Sequence, residues 1–139
     1  MNVRPADPSH HGWITSRLGS MQSPKFFAIE AVDASGTIHG MVGYDGWAEN
    51  SVVMTIALDN PACFRSLLPM IFTFAFMDLN KGVALTTVAS SNKRSMNLCE
   101  RVGFRQIARV KDGISLGVDY VFYEMRRENC RWIMQRKAA

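Results

Sequence analysis

Residues 92–104 of this chain read NKRSMNLCERVGF. The small and apolar residues of the stretch are spaced i, i+3, i+4 and i+7, as on one face of an α-helix. They are Ser95, Leu98, Cys99 and Val102. Gly103 suits the left-handed position just beyond a helix end. The stretch predicts a short amphipathic helix that begins near Asn92 and is closed by glycine.

The composition is that of one globular domain. The chain has 139 residues, of which 47% are hydrophobic and 20% charged, enough to bury a core. Its longest uncharged apolar run, residues 67–77, is far shorter than the roughly 18 residues of a membrane span. The three cysteines are widely spaced, so we expect a reduced, cytoplasmic protein. The net charge of +4 suits an anionic ligand and is too small to indicate nucleic acid.

Outward from residues 92–104, apolar periodicity predicts strand, helix, three strands, helix, strand, helix and two strands. The predicted strands are residues 1–4, 26–32, 38–44, 51–58, 83–89, 105–110 and 118–125. Helices are expected from Asp7 to Leu18, from Pro61 to about residue 80 with an irregularity at Pro69, and from Asn92. Residues 111–113 read as a turn. By itself this order predicts an α+β fold with an antiparallel sheet.

The pattern N-x-x-S-x-x-L-x-E-x-x-G-F resembles the helix that lies beside acetyl-coenzyme A in the GCN5-related N-acetyltransferases, the GNAT family. Residues 3–6, 33–40 and 119–125 also resemble family segments. As a compact chain it is similar to the members found in phage and prophage genomes. The resemblance implies a central mixed, mostly antiparallel sheet of about six or seven strands, flanked by about three or four helices. Residues 1–125 would form a single acyl-CoA-binding domain and residues 126–139 a basic tail.

The resemblance implies acetyl-CoA as cosubstrate, with its pyrophosphate at the start of the helix that follows Pro61. A helix N-terminus favours an anion there. The expected partners are backbone N–H groups and two polar side chains. They belong to Cys63, Phe64, Arg65 and Ser66. The family loop reads Q/R-x-x-G-x-G/A, whereas residues 60–67 read NPACFRSL and hold no glycine, so cofactor binding there is an open point.

The thioester end of the cofactor would lie between two strands that diverge. The backbone of Ile56, Ala57 and Leu58 would face that of Val88, Ala89 and Ser90, and one N–H would polarise the thioester carbonyl. Asn92 would hydrogen-bond the pantetheine arm and Ser95 would lie against it. Asn92 is equally suited to cap its helix, and the two roles are compatible.

Catalysis requires a proton donor for the leaving thiolate and an acceptor for the amine proton. Many family members have the donor, a tyrosine, where this chain has Cys99. Cys99 would serve as the donor, form a mixed disulfide with coenzyme A or be a small core residue, and Tyr120 and Tyr123 are substitutes. We expect Glu49 to be the base among four candidates. The others are Glu30, His39 and Asp45. No metal is expected, because His10 and His11 lack a third ligand.

We therefore expect an N-acetyltransferase that transfers an acetyl group from acetyl-CoA to a primary amine by direct attack. There is room for one helix before residue 26, whereas the family usually has two, which form a wall of the acceptor site. The resemblance therefore implies an open acceptor side, which favours a peptide or protein amine over a small amine. The alternative is a GNAT-like scaffold without catalysis that binds a partner. A nucleic-acid-binding module rests only on the basic tail, and a homodimer through the last strands or Trp132 stays open.

Overall fold

A computed structural model gives the structure of residues 1–18 and 25–134. The strands are β1 (Asn2–Pro5), β2 (Phe27–Val32), β3 (Ile38–Asp45), β4 (Ser51–Leu58), β5 (Val83–Ala89), β6 (Arg105–Ser115) and β7 (Val118–Arg126). The α-helices are α1 (His11–Leu18), α2 (Phe64–Thr73) and α3 (Lys93–Val102). The predicted loop after Leu18 falls on residues 19–24, outside the described residues.

The seven strands form one sheet in the order β1-β2-β3-β4-β5-β7-β6. Every neighbouring pair is antiparallel except β4 and β5, which are parallel. This confirms the predicted α+β fold and its mixed, mostly antiparallel sheet. β4 and β5 occupy the residues expected of them from β-branched and apolar runs.

The two faces of the sheet are covered by separate apolar clusters. Alternation along β2 sends Ala28 to one face and Ile29 to the other. Ala28 joins a small cluster with Ile14 of α1, and Ile29 joins the large core. α2 supplies the large core because its apolar residues are buried nearly all round. Helix α3 contributes Cys99 and Val102 to the same core.

The long connection after β4 consists of three successive helical segments of different type. Asn60 caps a 3-10 turn, Pro61–Cys63, by accepting a hydrogen bond from the Ala62 N–H at 3.1 Å. α2 follows and holds Pro69 in its interior, and a π-helical turn, Phe74–Asp78, ends the segment. The segment predicted as one helix is thus divided into a 3-10 turn, an α-helix and a π-helical turn. The irregularity expected from Pro69 is present as the change to π-helix beyond it.

The last hairpin differs from its prediction. The turn expected at residues 111–113 is wrong, because β6 continues to Ser115 and the chain turns at Leu116 and Gly117. Asp112 adopts a positive φ of 56° within a register shift between Val110 and Ser115. Such a bulge absorbs the Asp-Gly sequence without ending the strand. All eleven residues of β6 are exposed.

The segment after β7 lies against the domain as far as the structure describes it. Trp132 donates its indole N–H to Val102 O at 2.8 Å, and Arg131 donates to Arg101 O at 2.8 Å. The Met134 N–H donates to Thr73 Oγ1 at 2.8 Å. Residues 127–134 therefore close the C-terminal ends of α2 and α3. Within residues 1–18 and 25–134, no helix has the length and apolar character to cross a membrane.

Candidate functional site

The site begins where β4 and β5 separate. Their parallel pairing covers three residue pairs, from Ser51 with Val83 to Val53 with Leu85. Beyond these pairs the facing edges, residues 54–58 and 86–89, have no strand between them. Backbone N–H and C=O groups at an unpaired edge need partners. The divergence therefore leaves main-chain donors and acceptors available along both sides of an opening.

A cleft of about 940 Å³ occupies this opening. Four consecutive residues of β5, 86–89, line it. Successive side chains of a strand point to opposite faces, so the cleft lies along the edge of β5 and not on one face of the sheet. Thr55, Ile56 and Leu58 line the β4 side. The cleft can accept an extended ligand whose amide groups replace the missing strand pairing.

Helix α3 forms the wall beside β5. Asn92 caps the helix, and its Oδ1 accepts the Ser95 N–H at 3.1 Å. Gly103 ends it with φ of 116°, as the sequence predicts. Asn92 and Ser95 both line the cleft. The cap uses Oδ1. Within residues 1–18 and 25–134 no bond of the Asn92 Nδ2 group is found, so this group can donate to a ligand.

Arginines give the cleft its charge. Arg94 and Arg101 line it from one side of α3, since i and i+7 share a helix face. Neither forms an ion pair within the part of the chain that the structure describes. Arg17 lines it from α1. These guanidinium groups suit the phosphates of a nucleotide ligand, and sequence reasoning missed all three.

Arg17 is held in place by two residues, Trp13 and Asp59. Its guanidinium lies 3.6 Å from the ring centroid of Trp13 and donates two hydrogen bonds to the Asp59 carboxylate, at 3.1 and 3.0 Å. These bonds, more than its charge, lower the pKa of Asp59. Asp59 precedes the turn at Pro61, which also lines the cleft. A cation therefore lies near the glycine-free start of α2.

Of the four residues expected to hold the pyrophosphate, two are buried and two are exposed. Cys63 and Phe64 are buried in the large core, and their N–H groups already donate within the turn, to Asn60 O and Pro61 O. Arg65 and Ser66 are exposed on α2. None of the four is among the residues that line the cleft. The start of α2 meets the cleft at Pro61 and Arg17.

Of the predicted thioester residues, Ile56, Leu58, Val88 and Ala89 line the cleft. Ala57 is buried against the α1 cluster. The hydroxyl of Ser90 accepts the Asp119 N–H at 2.7 Å and is thereby used inside the sheet.

Two proton donors reach the cleft. Cys99 lines it although the residue is only 6% exposed, and burial, followed by the neighbouring Glu100 charge, raises its pKa to about 11. The thiol therefore stays protonated at neutral pH. Tyr120 also lines the cleft, and Thr87 Oγ1 donates to its hydroxyl at 3.4 Å.

Tyr123 is placed elsewhere. It is fully buried, lies outside the cleft lining, and its hydroxyl has no hydrogen-bond partner among the described residues. Burial raises its pKa. The structure thus places Tyr120 and Cys99 at the same cleft. Tyr123 lies in the large core.

The four candidate bases all lie outside the cleft lining. Glu49 is exposed in the loop before β4. Glu30 is fully buried and bound by Arg4 Nε at 2.9 Å and His10 Nδ1 at 2.8 Å. His39 contacts Asp33 through Nε2 at 2.8 Å. Over residues 1–18 and 25–134, no three His, Cys, Asp or Glu side chains come together as a metal site requires.

No protein-family model matches the sequence, and no curated protein does. Solved structures with a similar fold include a mutant of spermidine N-acetyltransferase SpeG from Vibrio cholerae. Its TM-score is 0.76 at 14% identity, over 91% of this chain and 94% of that chain.

Two further SpeG structures from Vibrio cholerae are similar. One is in complex with manganese ions, with a TM-score of 0.72 at 14% identity over 90% of this chain and 91% of that one. The other is dodecameric, with a TM-score of 0.75 at 14% identity over 91% and 94%. The sheet order, the separation of β4 from β5 and these similarities agree, and the chain has the fold of the GCN5-related N-acetyltransferases.

Proposed function

We propose that this chain is an acetyl-CoA-dependent N-acetyltransferase that acetylates a primary amine. The observation that carries the proposal is the cleft between the unpaired edges of β4 and β5, with Asn92 at one wall and arginines along it. The N-acetyltransferase fold supports the same reading. An extended pantetheine arm has amides for the strand edges, and the nucleotide has phosphates for Arg17, Arg94 and Arg101.

The chemistry is direct attack of the amine on the thioester carbonyl. The new N–C bond forms as the C–S bond breaks, and an N–H of the β4 edge stabilises the negative charge on the carbonyl oxygen. The amine loses one proton, and the coenzyme A thiolate gains one. Cys99 and Tyr120 are the donors that the cleft offers. Because Cys99 is protonated at neutral pH, formation of a mixed disulfide is disfavoured, and its raised pKa also makes it a weaker proton donor than an ordinary thiol.

Calorimetric titration with acetyl-CoA tests the proposal, with desulfo-coenzyme A and ATP as comparisons. We expect micromolar binding of acetyl-CoA and of desulfo-coenzyme A, and weaker binding of ATP, which lacks the pantetheine arm. Absence of acetyl-CoA binding at millimolar concentration would rule out the proposed activity.

Arg94→Gln tests the charge of the cleft, and Lys93→Gln is its matched control. Both remove one positive charge from the first turn of α3, but only Arg94 lines the cleft. We expect Arg94→Gln to weaken acetyl-CoA binding by about tenfold, as for one charge-assisted hydrogen bond, and Lys93→Gln to change it less than twofold. Equal effects of the two variants would assign the loss to net charge alone.

A second candidate is a binding protein that holds an acyl-CoA without transfer. The observation in its favour is that no Asp, Glu or His lines the cleft among the described residues, so a general base is missing there. Acetyl-CoA binding without acetylation of any amine up to pH 9 would select this candidate.

A further inference from the structure

We infer that Asp119 is a positioning residue of the cleft, and that it acts through both its main chain and its side chain. Its main chain is bonded to the turn that leads to Asn92. Its side chain is bonded to the strand that carries Ile114. Tyr120, which lines the cleft, is the next residue of β7. The inference rests on the proposed function, since it concerns what holds the parts of that cleft in place.

The main chain of Asp119 is bonded to Ser90 in both directions. The Asp119 N–H donates to Ser90 Oγ at 2.7 Å, and the Ser90 N–H donates to Asp119 O at 2.9 Å. Ser90 is only 7% exposed, so water is a poor substitute for these bonds. Asn92 follows two residues later, and its own N–H donates to Ala89 O at 2.9 Å. The bonds to Asp119 therefore help to fix the turn from which Asn92 reaches the cleft.

The carboxylate of Asp119 is bonded to β6 at two points. It accepts a hydrogen bond from Arg109 Nε at 2.7 Å and another from the Asp112 N–H at 3.1 Å. The Arg109 bond, followed by the Asp112 bond, lowers the pKa of the Asp119 carboxyl group. The carboxylate is therefore charged at neutral pH, and both bonds are charge-assisted.

The bonds to β6 lie where its pairing with β7 is irregular. The register shifts between Val110 and Ser115, and Asp112 adopts a positive φ of 56° within this stretch. Asp112 Oδ1 in turn accepts the Gly117 N–H at 2.8 Å. Ile114, which lines the cleft, belongs to the same stretch. Its position therefore depends on side-chain bonds where a regular strand ladder is interrupted.

Three cleft residues on three segments thus share one support. Asn92 caps α3, Tyr120 belongs to β7 and Ile114 to β6. Asp119 is not among the residues that line the cleft, so it acts through these neighbours and not on a substrate. A misplacement of about 1 Å caused by a distant substitution can lower a rate by about a hundredfold, so loss of this support should be measurable.

Arg109→Ala tests the side-chain attachment, and Arg105→Ala is its matched control. Both arginines lie on β6 outside the cleft lining, and each is paired with an acid of β7. In each variant the acid keeps one other hydrogen-bond donor. The acceptor is the amine that the parent acetylates fastest among spermidine, a lysine peptide and a peptide with a free N-terminus.

We expect Arg109→Ala to lower kcat by about tenfold or more, because Tyr120 and Ile114 lose part of their support. Its Kd for acetyl-CoA should stay within about threefold of the parent value, because the main-chain bonds to Ser90 remain. Arg105→Ala should change neither quantity by more than about twofold. A merely structural role would not separate kcat from Kd in this way.

Ser90→Ala tests the main-chain attachment, and Ser91→Ala, at the exposed neighbour in the same turn, is its control. Ser90→Ala removes the acceptor of the Asp119 N–H. We expect it to raise the Kd for acetyl-CoA by roughly threefold to tenfold, as for one hydrogen bond, because Asn92 is held less firmly. Ser91→Ala should change this Kd by less than about twofold. Calorimetric titration measures both.

Asp119→Ala removes both carboxylate bonds, leaves the main-chain bonds to Ser90 in place, and repeats the test if Arg109→Ala does not fold. Addition of Arg109→Ala to it should lower kcat by less than about twofold more, because the two substitutions remove one shared contact.

Equal kcat values in the two arginine variants, or equal Kd values in the two serine variants, would overturn this inference and leave the proposed function intact. Failure of the parent to bind acetyl-CoA, or binding with none of the three amines acetylated, would remove the proposed function and this inference with it. Calorimetry and acetylation assays of the parent separate these cases before any variant is compared.

Discussion

At the scale of single residues, burial of the Cys99 thiol makes the stability of the fold depend on pH. Its pKa is about 11 in the folded protein, against about 8.5 in an unfolded chain. The unfolded state therefore loses this proton first as pH rises. The contribution of the neutral thiol to stability is complete below about pH 8.5 and is lost progressively toward pH 11.

We predict that Cys99→Ala destabilises the protein at pH 7 and that its deficit relative to the parent shrinks between pH 8.5 and 11. The slope is at most about 1.4 kcal/mol per pH unit. Urea unfolding of both proteins at several pH values measures it, and the comparison cancels titration of the other groups. A deficit that is constant over this range would contradict the assigned burial of the thiol.

Substitutions of the two tyrosines of β7 should have different effects, one on the catalytic rate and the other on the stability of the fold. Tyr120→Phe removes a hydroxyl that lines the cleft, and we expect kcat to fall by tenfold or more if this hydroxyl donates the proton. Tyr123→Phe removes a buried hydroxyl that has no hydrogen-bond partner among the described residues. We expect it to leave kcat within about twofold and to stabilise the fold by about 1 kcal/mol.

Acetylation kinetics and urea unfolding of both variants distinguish these outcomes. A large loss of kcat in Tyr123→Phe with unchanged Tyr120→Phe would return the donor role to Tyr123.

At the scale of elements, the end of α3 depends on one glycine. Gly103 has φ of 116°, and an added Cβ would lie 3.2 Å from Met125 Cε. We predict that Gly103→Ala destabilises the fold by about 1–2 kcal/mol, since a side chain disfavours this backbone conformation. Gly12→Ala in α1 is the control, because nothing lies within 4 Å of its added Cβ. It should be neutral or stabilising by up to about 1 kcal/mol.

The elements that the sequence predicted well have signals within their own residues. β4 and β5 are apolar runs bounded by turn residues, and α3 carries both its cap Asn92 and its closing Gly103. β6 was cut short because Asp112-Gly113 is a strong local turn signal. In the folded chain the Asp119 carboxylate of β7 accepts the Asp112 N–H at 3.1 Å, across the register shift that holds this sequence.

At the scale of the whole molecule, few backbone pairs join the two parts of the sheet at β4 and β5. A ligand that bonds to residues 54–58 and 86–89 would connect these parts further. We predict that acetyl-CoA at about 100 times its Kd stabilises the protein by about 2.7 kcal/mol, which raises Tm by roughly 10 °C.

Hydrogen exchange locates this effect. Amides of residues 54–58 and 86–89 should exchange more slowly with acetyl-CoA, while amides of β1 at the far edge should follow only the global stabilisation. Protection confined to α1 and α2 would place the ligand outside the cleft.

Site residues that belong to one helix or strand could be predicted from the sequence. Those that depend on contacts between distant elements could not. Asn92 and Ser95 belong to one motif and both line the cleft. Arg17 reaches it from a helix 42 residues before its partner Asp59, and no local pattern indicates that contact. Cys63 and Phe64 were expected at a phosphate, but their apolar side chains belong to the core.

The separation of β4 from β5 also bears on how such a chain can change over evolution. Its edges present main-chain groups, which every residue except proline supplies in the same form. Substitutions along the opening can therefore accumulate without removing a donor or an acceptor. A solved structure that is only 14% identical has a similar fold, as expected where the backbone, more than the side chains, forms the opening.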